Sequence, residues 1–214
     1  MEKKVILKDM PIKKRIRYIW DYYKLWIIAG IFVLSTLISS VYQYLTAKET
    51  LLTLIMINSS IPISETIFAE DYLTVNEYDP AKYELTASSL ELNMTAESYQ
   101  QDYYTVQSTI VRLTSGDIDI FSAPADLFKP YTEEGYLINL EDIFSETELS
   151  QYENYIVYTT DPNTNKTYPC AFDFSKNKWI QEHGYYTDSC HIGILYNSSN
   201  TEQAKDFLLY ALNY

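Results

Sequence analysis

The chain has two cysteines and two histidines, Cys170, His183, Cys190 and His191, all in its last quarter. Zinc modules hold their ligands in short paired spacings, and the C-x12-H-x6-C-H pattern here matches none of them. If the Cys190–His191 segment is a strand, its adjacent side chains point to opposite faces and do not converge. A disulfide between Cys170 and Cys190 would close a loop of about 20 residues, worth about 3 kcal/mol on a chain-entropy estimate. An oxidising compartment permits that bond, and the spacing leaves bridged and free thiols both open. No P-loop, dinucleotide fingerprint, nucleophile elbow or H-E-x-x-H motif is present. Carboxylates are abundant, but no pair stands out for acid–base work. The expectation is a non-enzymatic protein with no cofactor. Tyrosine is over-used, at 22 of 214 residues. The pairs Tyr103–Tyr104 and Tyr185–Tyr186, with Trp179, have rings suited to stacking on a sugar or anchoring a peptide. The same rings also suit half-buried structural positions.

Such side chains need a scaffold, and the chain alternates strand and helix signals. Residues 51–58 (LLTLIMIN) form a short, fully apolar run that reads as a buried strand. Ser64 is a candidate N-cap for a following helix. Residues 83–92 read as a second strand. From 96 to 115, Tyr99, Tyr103, Val106, Ile110 and Leu113 recur at helical spacing, and Gly116 supplies the stop. Residues 117–122 (DIDIFS) return to a strand. A short helix over 124–131, a turn with a short helix over 137–144, and a helical stretch over 146–158 follow. Residues 161–165 (DPNTN) form a turn. Strands are expected at 167–174 and 191–196, and an amphipathic helix at 201–212 carries Ala204, Phe207, Leu208 and Ala211 on its apolar face. Mixed order of this kind predicts the α/β class.

Ahead of that domain, residues 25–47 carry no charge. About 20 residues cross a hydrocarbon core of about 30 Å as a helix. Trp20, Tyr22, Tyr23 and Trp26 at one end, and Tyr42 and Tyr44 at the other, suit the two membrane interfaces. Residues 1–24 hold eight basic and three acidic residues, a net of +5, so residues 25–214 hold −18 of the chain's net −13. Basic flanks stay inside, which predicts a cytoplasmic tail (1–24), an uncleaved transmembrane signal-anchor helix (25–47) and an extracellular α/β domain (48–214) at the cell membrane. The acidic domain repels phosphate backbones, which excludes nucleic acid as a partner. The lipid bilayer is the expected partner of the span.

One passage carries a family resemblance. Ser115-Gly116-Asp117-Ile118-Asp119-Ile120, then Tyr131, Gly135, Leu137, Asn139 and Leu140, resembles a segment of bacterial extracytoplasmic solute-binding proteins. The tail, through Gly193, Asn197, Ser198, Glu202, Ala204 and Phe207, is similar to the ending of that family. The two passages cover about a third of the domain, and the anchored arrangement resembles proteins of Gram-positive Firmicutes. The resemblance implies a periplasmic-binding-protein-like fold. At about half the usual family length, the chain implies a reduced second lobe. Ligands of open α/β sheets bind outside the carboxyl ends of the strands. Ser59, Ser60, Ser122, Asp126, Asp173, Ser175 and Trp179 are therefore the candidate ligand-binding residues. The resemblance implies a small solute, sugar or peptide as ligand, with ABC-transporter or other membrane-protein subunits as partners. The alternative is a structural or regulatory interaction subunit whose cleft is vestigial. A retained cleft predicts polar and aromatic side chains open at the strand ends, and a vestigial one predicts a filled crevice.

Overall fold

The computed structural model describes residues 11–61, 67–92, 99–161 and 164–214. Two units divide at residue 47. The first contains helix α1 (Ile12–Thr46), 35 residues with Pro11 at its start. At 1.5 Å per residue it is about 52 Å long. It is the one helix among the described residues that is long and apolar enough to cross a membrane. Its hydroxyls turn back onto its own carbonyls: Ser35 Oγ donates to Phe32 O (2.9 Å), Thr36 Oγ1 to Val33 O (2.8 Å) and Thr46 Oγ1 to Tyr42 O (2.8 Å). Groups paired in this way suit a medium without water. The helix starts well before the uncharged stretch, so part of the basic segment is helical too.

The second unit, 48–214, is built on one six-stranded sheet. Its strands are β1 (Glu49–Ile57), β2 (Tyr83–Leu90), β3 (Ile120–Ala123), β4 (Ile156–Thr160), β5 (Thr167–Asp173) and β6 (His191–Ile194). Their order is β2-β1-β3-β6-β5-β4. Strands β2 and β3 flank β1 in parallel, whereas β6 returns antiparallel to β3 and continues through antiparallel β5 and β4. Helices α2 (Ile67–Val75), α3 (Tyr99–Thr114), α4 (Ala125–Glu133), α5 (Glu146–Gln151), α6 (Lys178–His183) and α7 (Thr201–Leu212) complete the unit. The sheet is apolar on both faces. Leu52, Leu54 and Met56 of β1 pack with Tyr72 of α2, Trp179 of α6 and Phe207 of α7. Ile55 and Ile57 face the other way, toward Leu113 of α3 and Phe128 of α4. A run such as LLTLIMI therefore needs no alternation, because helices cover both sides.

Several expectations are met and some are corrected. Strands β1, β2, β5 and β6 and helix α7 lie where the sequence puts them. Helix α3 ends at Gly116, whose φ of +81° is a left-handed value favouring glycine. Within 137–144 the helix is a single 3-10 turn, Leu140–Asp142. The helical reading of 146–158 holds for α5 and for a single 3-10 turn, Glu153–Tyr155, and is wrong from Ile156. Ser145 and Glu148 form a capping box that starts α5, but Ile156 and Val157 pair with β5 as part of β4. The Ser64 cap, the start of the helix expected from residue 96, part of the 161–165 turn and residues 1–10 of the basic tail lie outside the described residues.

A buried carboxylate joins the parts. Asp119, 2% exposed at the foot of β3, accepts from Thr53 N of β1 at 2.9 Å and from Ser198 Oγ at 2.6 Å. Asn200 Nδ2 lies 3.3 Å from both carboxylate oxygens. Its backbone continues the link: Asp119 N donates to Thr53 O, and Leu195 N donates to Asp119 O, each at 2.9 Å. Beside it, Asn197 Nδ2 donates to Leu113 O at 3.1 Å and closes the end of α3. The Gly-Asp-x-Asp passage and the Asn-Ser tail thus meet in space. Asp119→Ala strips the acceptor from three donors, and each bond to a charged group is worth about 1.5–3 kcal/mol. The expected loss is about 3 kcal/mol or more, read as a lower urea midpoint of the full chain in detergent, with a smaller loss for Asp119→Asn.

Candidate functional site

Strand β1 lies between its two parallel neighbours, and the crossovers through α2 and α3 cover opposite faces. That arrangement is a topological switch point, and the crevice outside the ends of β1 and β3 is where an α/β sheet binds ligands. Ser59 and Ser60 follow β1, and Ser122 is in the last turn of the pleat of β3. Strand β5 runs in the same direction as β3, so Asp173 and Ser175 are at the same end of the sheet. Strand order and direction therefore bring Ser59, Ser60, Ser122, Asp173 and Ser175 to one end of the sheet.

Their polar groups are engaged there by the chain itself. Gly184, with φ +68°, ends α6 and turns the backbone into the segment Tyr185–Ser189. That segment crosses the crevice. Tyr186 Oη donates to Ile57 O at 3.0 Å, so Ser122 Oγ, also 3.0 Å away, donates to Tyr186 Oη. Ser60 N donates to Tyr185 O at 2.6 Å. Ala125 N, the first amide of α4, donates to Ser189 Oγ at 3.0 Å. Ser59 Oγ turns to Ile61 O at 2.7 Å, and Asn58 holds both the N–H and the C=O of Leu92. Tyr186 is 6% exposed and Ser122 is 2% exposed. Burial pushes the Tyr186 phenol well above its ordinary pKa and the Tyr185 phenol up to about 12. Both stay neutral at any physiological pH.

The remaining candidates also serve the fold. Asp173 Oδ1 accepts from Ser175 N at 2.9 Å and from Ser175 Oγ; that oxygen in turn accepts from Cys190 N at 3.1 Å. Trp179 is buried, its ring 5.3 Å from Tyr185 and edge-on to Phe207 at 5.5 Å. Of the tyrosine pairs, Tyr185 and Tyr186 are buried and Tyr104 is exposed, and the side chain of Tyr103 lies outside what the structure describes. Asp126 is exposed in the first turn of α4, beside a small apolar groove with Leu92, Val106 and Ile110.

The disulfide held open by the spacing is not formed, and both thiols are free and buried. Cys170 is the extra residue of a bulge on β5, between the Val157–Ala171 and Tyr158–Pro169 pairs, and it packs with Phe121 and Phe128. Cys190 packs on the other face, with Phe172 and Phe174. Burial pushes the Cys170 thiol up to about 12 and the Cys190 thiol well above its usual value, so neither is a ready nucleophile. His191 sits beside Phe128 (5.5 Å), and burial lowers its pKa while Asp173 opposes that shift.

Two open clefts of about 600 Å³ flank the far edge of the sheet. One lies between α4 and β4, over Phe128, Lys129, Thr132, Val157 and His191. The other lies between α5 and β4, over Phe144, Leu149, Ile156 and Pro169, with Glu141, Glu146 and Glu153 around it. Neither was legible in the sequence, because β4 itself was not. Comparison with known proteins returns no matching family model, no similar curated protein and no similar solved structure.

If Tyr186 is a structural plug, its hydroxyl matters more than that of Ser122. Tyr186→Phe orphans a buried carbonyl and a buried hydroxyl and is expected to cost about 1–3 kcal/mol. Ser122→Ala leaves the Tyr186–Ile57 bond in place and is expected to cost under about 1 kcal/mol. Denaturant midpoints of the two variants check that order.

Proposed function

We propose that the chain is a single-pass membrane protein whose extracellular α/β domain acts as a non-enzymatic interaction subunit of a membrane complex, on a reduced solute-binding-protein-like scaffold. The observation that carries this reading is the Tyr185–Ser189 segment lying across the strand ends. A solute site needs free polar groups there, and Ser60 N, Ser122 Oγ, Ile57 O and Ala125 N are all taken. What the segment leaves open lies along the sheet edge. The scaffold reading is supported by the β2-β1-β3 parallel order with a strand returning from the C-terminal part beside β3. It is supported further by the contact between the two passages that carry the family resemblance. Membrane anchoring rests on α1. Orientation rests on the eight basic against three acidic residues of 1–24 and on the acidic remainder.

The buried native thiols make cysteine labelling selective. A Ser199→Cys variant, exposed ahead of α7, is expected to react with an impermeant maleimide on intact cells, and a Lys13→Cys variant only after permeabilisation. Released in mild detergent, the full chain is expected to migrate on a native gel well above its micelle-bound monomer. Inverted labelling would overturn the orientation, and a lone monomer would overturn the interaction role.

A further inference from the structure

Among the described residues, strand β4 is the last in the sheet and pairs with β5 on one side only. Exposed edges are normally blunted by charge or proline, because an unpaired edge is a template for another strand. Ile156-Val157-Tyr158-Thr159-Thr160 contains neither. It consists of β-branched and aromatic residues, the types that favour strands. The opposite edge, β2, contains Glu84 and is contacted from α3, where Arg112 Nη2 donates to Ser88 Oγ at 3.2 Å.

The two open clefts lie on either side of this same strand. Ile156 lines the one beside α5, Val157 and Thr159 line the one beside α4, and Tyr158 borders both. Side chains of a strand alternate between faces. A strand added to the edge of β4 would therefore send its side chains into the two clefts by turns. Strand addition works in this way, with main-chain bonds giving affinity and alternate pockets giving specificity. Tyr158 (55% exposed) and Tyr155 (41% exposed) stand at the edge as aromatic anchors.

The occupant follows from charge. The α5-side cleft has an apolar floor of Phe144, Leu149 and Ile156 under the carboxylates of Glu141, Glu146 and Glu153. Lys205, the nearby cation, is bound to Glu148 at 3.0 Å. A lysine entering this cleft lays its aliphatic stem on the floor and its ammonium among the carboxylates. In the α4-side cleft, over Phe128, Val157 and Thr159, the two charges Lys129 and Glu133 pair with each other at 3.6 Å, so this cleft takes uncharged side chains such as Val. A second copy of this chain fits poorly. Antiparallel β4–β4 pairing sets two acidic clefts side by side on chains of net charge −13.

We propose that β4 is a strand-addition site for an extended partner segment in which basic and apolar residues alternate. This rests on the interaction reading above and names its surface. The test uses the full chain in nanodiscs of neutral phosphatidylcholine. The probes are labelled (Lys-Val)4, (Glu-Val)4, and two forms of (Lys-Val)4 that are N-methylated on one or the other alternate set of amides. The lysine peptide is expected to bind, to slow hydrogen exchange of β4 amides, and to lose at least tenfold in affinity in one N-methylated form. Glu146→Gln with Glu153→Gln is expected to weaken it by about two- to fivefold, as for partly exposed ion pairs. The proposal is overturned by no binding of (Lys-Val)4, by equal binding of (Glu-Val)4, by full binding of both N-methylated forms, or by β4 amides already protected in a dimer. A native complex that persists when the edge binds nothing removes this site and leaves the interaction role standing.

Discussion

The carboxylate of Asp119 is the constraint on which the α/β unit depends. A buried carboxylate is tolerated only when its lone pairs are filled, and here Thr53 N, Ser198 Oγ and Asn200 Nδ2 fill them, while its backbone adds further ties. Thr53 brings β1, Ser198 and Asn200 bring the turn that enters α7, and the Asp119 backbone brings β3 and the approach from β6. The bonds span residues 53 to 200, so the first strand and the last helix are held to one register. Once β1, β3 and β6 are fixed there, the far ends of the same strands are fixed as well, and with them the space that a ligand would need.

At those far ends the same rule of polar satisfaction closes the crevice. Tyr186 fills the gap with a ring and supplies the donor that Ile57 O lacks, while Ser189 supplies the acceptor that the start of α4 lacks. Ile57 O, Ser60 N, Ser122 Oγ and Ala125 N each already have a protein partner in the folded chain. A solute would have to displace bonds at no net gain, whereas the clefts along β4 offer open apolar floor and a strand edge with one side unpaired. The tyrosine-rich composition finds two uses in this arrangement. Tyr72, Tyr185 and Tyr186 are core, and Tyr155 and Tyr158 stand exposed beside the edge.

Local signals in the sequence located what local physics determines. The apolar run of β1, the Gly116 stop after α3, and the apolar face of α7 each depend on neighbours within a few residues, and each is where the pattern puts it. Strand β4 was missed because the capping box at Ser145 and Glu148 starts a true helix, and nothing nearby marks its end at Gln151. What makes Ile156–Thr160 a strand is its pairing with β5, a tertiary fact. Helix α6 was missed because six residues are too few for periodicity, although Asn177 before it and Gly184 after it were readable caps. The candidate site was half legible. Strand order and direction bring Ser59, Ser60, Ser122, Asp173 and Ser175 to one end of the sheet. That Tyr186, 129 residues beyond Ile57, would occupy that end could not be read from spacing, and neither could the structural role of Asp119.

The most direct test of this account is a calorimetric or thermal-shift titration of the detergent-solubilised full chain with sugars, free amino acids and divalent metals. A ligand that binds only the native state at a hundredfold excess over its dissociation constant adds about 2.7 kcal/mol of stability, an effect well within reach of the measurement. The account predicts a cooperative transition whose midpoint none of these solutes moves. A saturable shift by any one of them would mean that the strand-end crevice opens to a small ligand, and would contradict the closed-crevice reading.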